Sequence, residues 1–245
     1  MPTFVVSLRR LAALFLGLLM MAPPLAFAAL TPVETVQIQA TRATGSLLLL
    51  RGEGFQKDHQ LRLEDDIQAL QRAMQALQSD ETLYRLHLQL IEELRRGVAF
   101  GPGEDSMPWR YPEELARALR DFLSALRTHP SASPTEVAAK VEYLAVQYLS
   151  RAYFGNFEIA REQPDTYLGQ DERKLVPFID QEMQGLAEDN PKLTKIQARW
   201  QYLRVALLDM NSQSSALVSA SGRPFAPTTV DRHARALSEE WMALE

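Results

Sequence analysis

Residues 58–78 read DHQLRLEDDIQALQRAMQALQ, and their apolar side chains Leu63, Ile67, Leu70, Met74 and Leu77 are spaced by three or four. An α-helix turns 100° per residue, so that spacing gathers all five on one face. A strand would alternate at every second residue, and this stretch does not. The expected element is an amphipathic helix with Asp58 as its N-cap. Ser79-Asp80 then restarts a helix carrying Leu83, Leu86, Leu90, Ile91 and Leu94 on one side. Arg95-Arg96-Gly97 should end it, since cations complement the C-terminal dipole and glycine tolerates a left-handed exit.

The same period continues in both directions. Upstream, Thr31 and Pro32 precede a stretch from Val33 to Arg51, which breaks at Gly52-Glu53-Gly54. Downstream, an irregular segment from Gly97 to Pro112 leads to a fourth helix with Leu115, Leu119, Phe122, Leu123 and Leu126 on one side. Ser133-Pro134-Thr135-Glu136 reads as a capping box, with the serine and glutamate side chains exchanging bonds with each other's backbone N–H. A fifth helix through Val137, Val141, Leu144, Tyr148 and Leu149 follows it. A sixth spans about 171–188, where Pro177 implies a kink or a later start. Asn190-Pro191 opens a seventh with Trp200, Leu203 and Leu207, and Pro227 opens the last, through Leu237 and Trp241. No strand of useful length is expected, so the fold class is all-α: an antiparallel helical bundle of about seven to eight helices.

Domain organisation starts from the N-terminus. Arg9-Arg10, an apolar run from Leu11 to Met21 and Ala26-Phe27-Ala28 have the order of a secretory signal peptide. The run is shorter than the roughly 20 residues of a membrane span, and Pro23-Pro24 breaks it. Cleavage after Ala28 is expected, leaving 29–245 as one helical domain, periplasmic or secreted. It could divide into two halves near 129–133 or 156–170. Membrane contact is expected only through an uncleaved signal, because no later stretch reaches spanning length.

Composition narrows the function classes. The full chain has formal charge −5, and removing 28 residues that hold two arginines and no acid moves it to −7. An acidic chain without a basic stripe argues against nucleic acid as a partner. With 46% apolar residues it can bury a core, and with no cysteine it has neither disulfides nor thiol chemistry.

Chemistry-bearing motifs are sparse. His59, His87, His129 and His233 form no pair one turn apart, as a metal site in a bundle requires, and scattered surface histidines are expected. Glu64-Asp65-Asp66 and Glu92-Glu93 have basic neighbours and read as solvated helix faces. No nucleophile elbow, phosphate loop or calcium loop is present, and Ser212, Ser214, Ser215, Ser219 and Ser221 have no base nearby in sequence. No cofactor or metal is called for.

Two sets of residues are candidates for binding. Arg42 and Arg51 on the first helix suit a small anion, with Gly45 beside Arg42 permitting close helix approach. The alternative is that both arginines pair with the acidic second helix. Trp109 and Tyr111, in the proline-rich loop, form either a partner-contact tip or a lid lying on the bundle. There is also an internal echo: Leu47–Leu50, Gly54-Phe55 and Leu61–Leu70 resemble Ala216-Leu217-Val218, Gly222–Phe225 and Val230–Leu237 in order. It fits two ordinary hairpins or an ancient duplication.

The first helix, VQIQATR at Val36–Arg42, with a hairpin after Arg51-Gly52, resembles the opening of periplasmic four-helix-bundle sensory domains, of the nitrate-sensor and pilus-chemotaxis type. Their glycine-arginine-glutamine run is missing, and no second membrane helix or output segment is expected here. The resemblance implies ligand binding without transmission across a membrane. The expected function is therefore non-catalytic binding of a small ligand or an envelope protein. The rivals are a periplasmic enzyme with a site assembled from distant residues, and a structural or chaperone-like protein.

Overall fold

A computed structural model describes residues 30–103, 106–132, 136–154, 172–184, 191–209 and 227–243, all within one compact unit, Leu30–Leu244. Eight helices follow in order among them: α1 Pro32–Gly52, α2 Lys57–Ala76, α3 Glu81–Ala99, α4 Tyr111–Arg127, α5 Val137–Phe154, α6 Glu172–Gln184, α7 Pro191–Asp209 and α8 Pro227–Met242. No strand occurs among the described residues. The fold is all-α, as the hydrophobic period predicts. Met1–Ala28, where a signal is expected, Ser133-Pro134-Thr135, the 156–170 connector and the serine-rich 211–221 stretch lie outside the described residues.

Local chemistry fixes the starts of α1 and α3. The Thr31 hydroxyl accepts the Glu34 N–H at 3.1 Å, and Pro32 occupies the first turn of α1. Asp80 caps α3 by accepting the Leu83 N–H at 2.7 Å. Asp58 does not cap α2: Gln56 takes that position, and Asp58 lies in the first turn, where its charge still favours the dipole. Glu136 also departs from expectation. It lies outside α5, with φ at +49°, so it is not the third residue of that helix, and its expected capping partner Ser133 lies outside the described residues. Instead its carboxylate accepts from the Gln37 amide at 2.6 Å and pairs with Arg127 at 3.3 Å. Buried tertiary partners outweigh a local cap here.

α1 and α5 form the centre. Nearly every side chain of Val33–Leu50 and Val137–Ser150 is buried, with no solvent face. Helices apolar on all sides belong inside a bundle, whereas the one-sided stripes of α2, α3, α4 and α8 suit its perimeter. α1 packs most extensively on α2 and α5, and α8 packs on α5. α5 follows the 129–133 linker and α1 precedes it, so both sides of that linker share one core. At the periphery α6 continues through Pro177, which is exposed. The fully buried Trp200 of α7 ties α6 to α7 by donating its Nε1–H to Asp180 at 2.8 Å.

Two glycines mark close approaches. A Cβ on Gly97 would lie 2.2 Å from the Tyr111 hydroxyl and 2.7 Å from Leu47 Cδ2. Gly97 is thus inside α3, not its left-handed exit; that conformation falls to Gly101, with φ at +69°. Gly52 similarly meets the Tyr153 ring at 2.2 Å. Gly45 is not a close-approach point, since a Cβ there would find Leu149 and Val146 at an ordinary 3.5 and 3.6 Å. No helix among the described residues is long and apolar enough to cross a membrane.

Candidate functional site

The arginines of α1 and α8 organise the polar interior. Arg42 is buried and donates its Nε–H to Glu142 of α5 at 2.7 Å. Its Nη2 donates to the Ser238 hydroxyl at 2.8 Å and to the Arg235 carbonyl at 3.3 Å. Arg235 of α8 reciprocates. It forks onto Asp66 of α2, donates to the Ser46 hydroxyl at 2.9 Å and reaches the Arg42 carbonyl at 3.1 Å. Each serine in turn donates to the carboxylate of its own group, Ser46 to Asp66 and Ser238 to Glu142.

The result is a reciprocal lattice, in which each arginine uses the other helix's serine and main chain. A buried ion is tolerated only when paired and hydrogen-bonded, and apart from the Arg235 Nε these groups meet that condition collectively. Burial pushes the Glu142 carboxyl above its ordinary range, while Arg42 and Arg235 pull it back. Burial works against the Arg235 charge too, but the bond to Asp66 and the fields of Asp66, Asp231 and Glu142 outweigh it and raise its pKa. Carboxylates saturated by guanidinium and hydroxyl donors have little capacity left to act as bases.

The lattice opens outward through Asp231 and Arg62. Both Asp231 oxygens lie 2.6 Å from Arg62 Nη2, and Oδ1 is 3.6 Å from Arg235 Nε. Beside them is a solvent-open cavity of about 470 Å³, between Arg62 of α2 and the Thr228, Thr229, Arg232, Arg235 and Glu239 side of α8. Two of its arginines, Arg62 and Arg235, hold a buried Nε with no acceptor at hydrogen-bonding distance among the described residues. Arg232 is exposed and makes no ion pair among the described residues. The first turn of α8 adds backbone N–H groups that have no intrahelical acceptor.

The residues singled out from sequence are dispersed. Arg42 lies in the lattice. Arg51 lies elsewhere: it donates to the Gly97 and Gly101 carbonyls at 2.6 and 3.1 Å and stacks 5.5 Å from the Phe55 ring centroid. It completes the C-terminus of α3, and burial lowers its pKa. Neither arginine pairs with the acidic run of α2. Asp66, expected on a solvated face, is buried and belongs to Arg235. Trp109 and Tyr111 part company. Trp109 is 84% exposed with Arg110 stacked on it, while Tyr111 is fully buried and donates its hydroxyl to the Glu93 carbonyl at 2.7 Å.

His87 departs from the surface expectation. It is buried against Phe122 and Tyr84, and neither ring nitrogen has a hydrogen-bond partner among the described residues. Burial lowers its pKa, because an uncharged ring is cheaper to bury than a charged one. In the unfolded chain it takes a proton near pH 6.5, so stability falls as pH drops through that value toward the depressed native one. The stability lost to this one proton has a slope of at most about 1.4 kcal/mol per pH unit. His87→Phe should flatten the stability difference between urea titrations at pH 7.5 and pH 5.5. An unchanged difference would place the acid sensitivity elsewhere.

A second polar cluster joins α1, α4 and α5. Lys140 is buried, with its Nζ 3.9 Å from Glu136 and 3.8 Å from the Phe178 ring centroid. Burial pushes its amine down to about 8, against the opposing field of Glu136. Among the described residues no group of three or more histidines, aspartates or glutamates could hold a metal ion. No family model, curated protein or solved structure matches the chain.

Proposed function

We propose that the mature protein is an exported, non-catalytic helical bundle that binds a small ligand in the cavity between α2 and α8. The observation carrying this is the cavity wall itself, which gathers the guanidinium side chains of Arg62, Arg232 and Arg235 around one open space beside Asp231 and Glu239. A pocket with convergent charged groups is the usual form of a small-ligand site. The secretory order of residues 1–28 supports export, and the likeness of the first hairpin to sensory input domains fits ligand binding.

A thermal-shift screen of small metabolites tests the proposal, using the native protein and Ala236→Trp, which fills the cavity from α8. A ligand present at a hundred times its Kd should raise Tm by about 5–10 °C in the native protein, and the shift should vanish in the variant. Shifts that persist in Ala236→Trp would remove the cavity from the account.

The catalytic alternative is favoured by the buried Glu136–Lys140 pair, because an amine near pH 8 suits proton transfer at neutral pH. A hydrolytic activity lost in Lys140→Met and retained in Ala236→Trp would replace binding by catalysis.

A further inference from the structure

We infer that the ligand is a small oxyanion, a carboxylate or phosphate, and that Asp231 is its built-in competitor for Arg62. The inference rests on the α2–α8 cavity being the binding site. Three guanidiniums face two carboxylates there, Asp231 and Glu239, so the wall is net cationic in a chain that is net acidic.

The guanidiniums are also under-used. Each carries five N–H donors in a planar fork that matches an oxyanion in bidentate fashion. Asp231 meets Arg62 end-on, with both oxygens on the single Nη2, and leaves the Arg62 Nε without an acceptor. Arg232 spends no donor on an ion pair among the described residues. Arg235 is different: Asp66, Ser46 and the Arg42 carbonyl hold its two terminal nitrogens, so it is a fixed charge and not a movable clamp.

An incoming oxyanion that takes the Arg232 fork and reaches for Arg62 lies close to Asp231, and the two negative charges repel. Occupancy therefore requires Arg62 to shift its allegiance from Asp231 to the ligand. Asp231 keeps the cationic wall satisfied without ligand and lowers affinity for weak or monodentate anions.

The test is isothermal titration at low ionic strength with inorganic phosphate and with citrate as probes, on the native protein, Arg232→Gln, Asp231→Asn and Ala236→Trp. At least one probe should bind, more weakly as salt rises. Arg232→Gln, exposed and unpaired, should weaken it about tenfold. Asp231→Asn should tighten it about tenfold through loss of the nearby like charge. Asp231→Ser repeats the test should the asparagine variant not fold.

Equal or weaker binding in both Asp231 variants would overturn the competitor role and make Asp231 an orienting residue. If neither probe binds while a neutral compound stabilises the native protein and not Ala236→Trp, the oxyanion class falls and the cavity stands. If nothing binds in an Ala236-dependent way, the cavity itself falls.

Discussion

Glu142→Leu should destabilise the protein by about 3–5 kcal/mol, because it leaves the Arg42 guanidinium buried without its carboxylate. Arg42 Nε loses its acceptor, and the Ser238 hydroxyl keeps only the Arg235 carbonyl, at 3.0 Å, to donate to. Glu239 lies 3.4 Å from Arg42 Nη1 but is largely exposed, and it can replace only part of what is lost. The double variant Arg42→Met/Glu142→Leu should recover most of the deficit, since a buried ion pair replaced by apolar groups of similar size is often neutral or better. Urea unfolding of the two single variants and the double variant yields the coupling directly. A loss below about 1 kcal/mol in Glu142→Leu would mean that water reaches Arg42.

Gly97→Ala should cost about 3 kcal/mol, which for a chain of this size is a fall in Tm of roughly 6–12 °C. Helix propensity alone predicts the opposite sign, since alanine gains about 1 kcal/mol over glycine in a helix interior. Overpacking decides the balance. The added methyl meets a buried tyrosine whose hydroxyl is already bonded to the Glu93 carbonyl, and on the other side Leu47 of the central helix. Tyr111→Phe in the Gly97→Ala background removes the nearest atom and should restore part of the loss. A stabilised Gly97→Ala protein, measured by calorimetry, would show that α3 and α4 are not this close.

The helices were legible because their apolar residues recur at three and four, which needs no tertiary knowledge. The central position of α1 and α5 was less visible. α1 carries Gln37, Thr41, Arg42, Thr44 and Ser46, all buried, in a helix that reads as partly polar. Thr41 and Thr44 bond to carbonyls four residues back in their own helix, at 2.7 and 2.9 Å, so they enter the core without outside partners.

Among the site residues, Asp66 carried a readable signal. It is three residues after Leu63 and four before Leu70, on the apolar stripe itself, although it sits in an acidic run that suggests solvent. Lys140, Glu142 and Gln147 lie in a helix with apolar residues on every side, which leaves polar ones nowhere to go but inside. Arg235 had no comparable signal. Its partners Ser46 and Asp66 are 189 and 169 residues away, and the pairing of α8 with the first hairpin is a tertiary fact that no local pattern encodes. The same holds for Arg62 and Asp231, whose pairing across 169 residues no local pattern in α2 or α8 encodes.

The central claim, that a small oxyanion binds the arginine wall between α2 and α8, is tested most directly by ¹⁵N–¹H spectra of the arginine Nε–Hε groups during titration with inorganic phosphate. The expected result is saturable shifts at Arg62 and Arg232, with Arg42 unmoved within its lattice. Shifts spread evenly over exposed arginines such as Arg85 and Arg117, or none at Arg62 and Arg232, would contradict it.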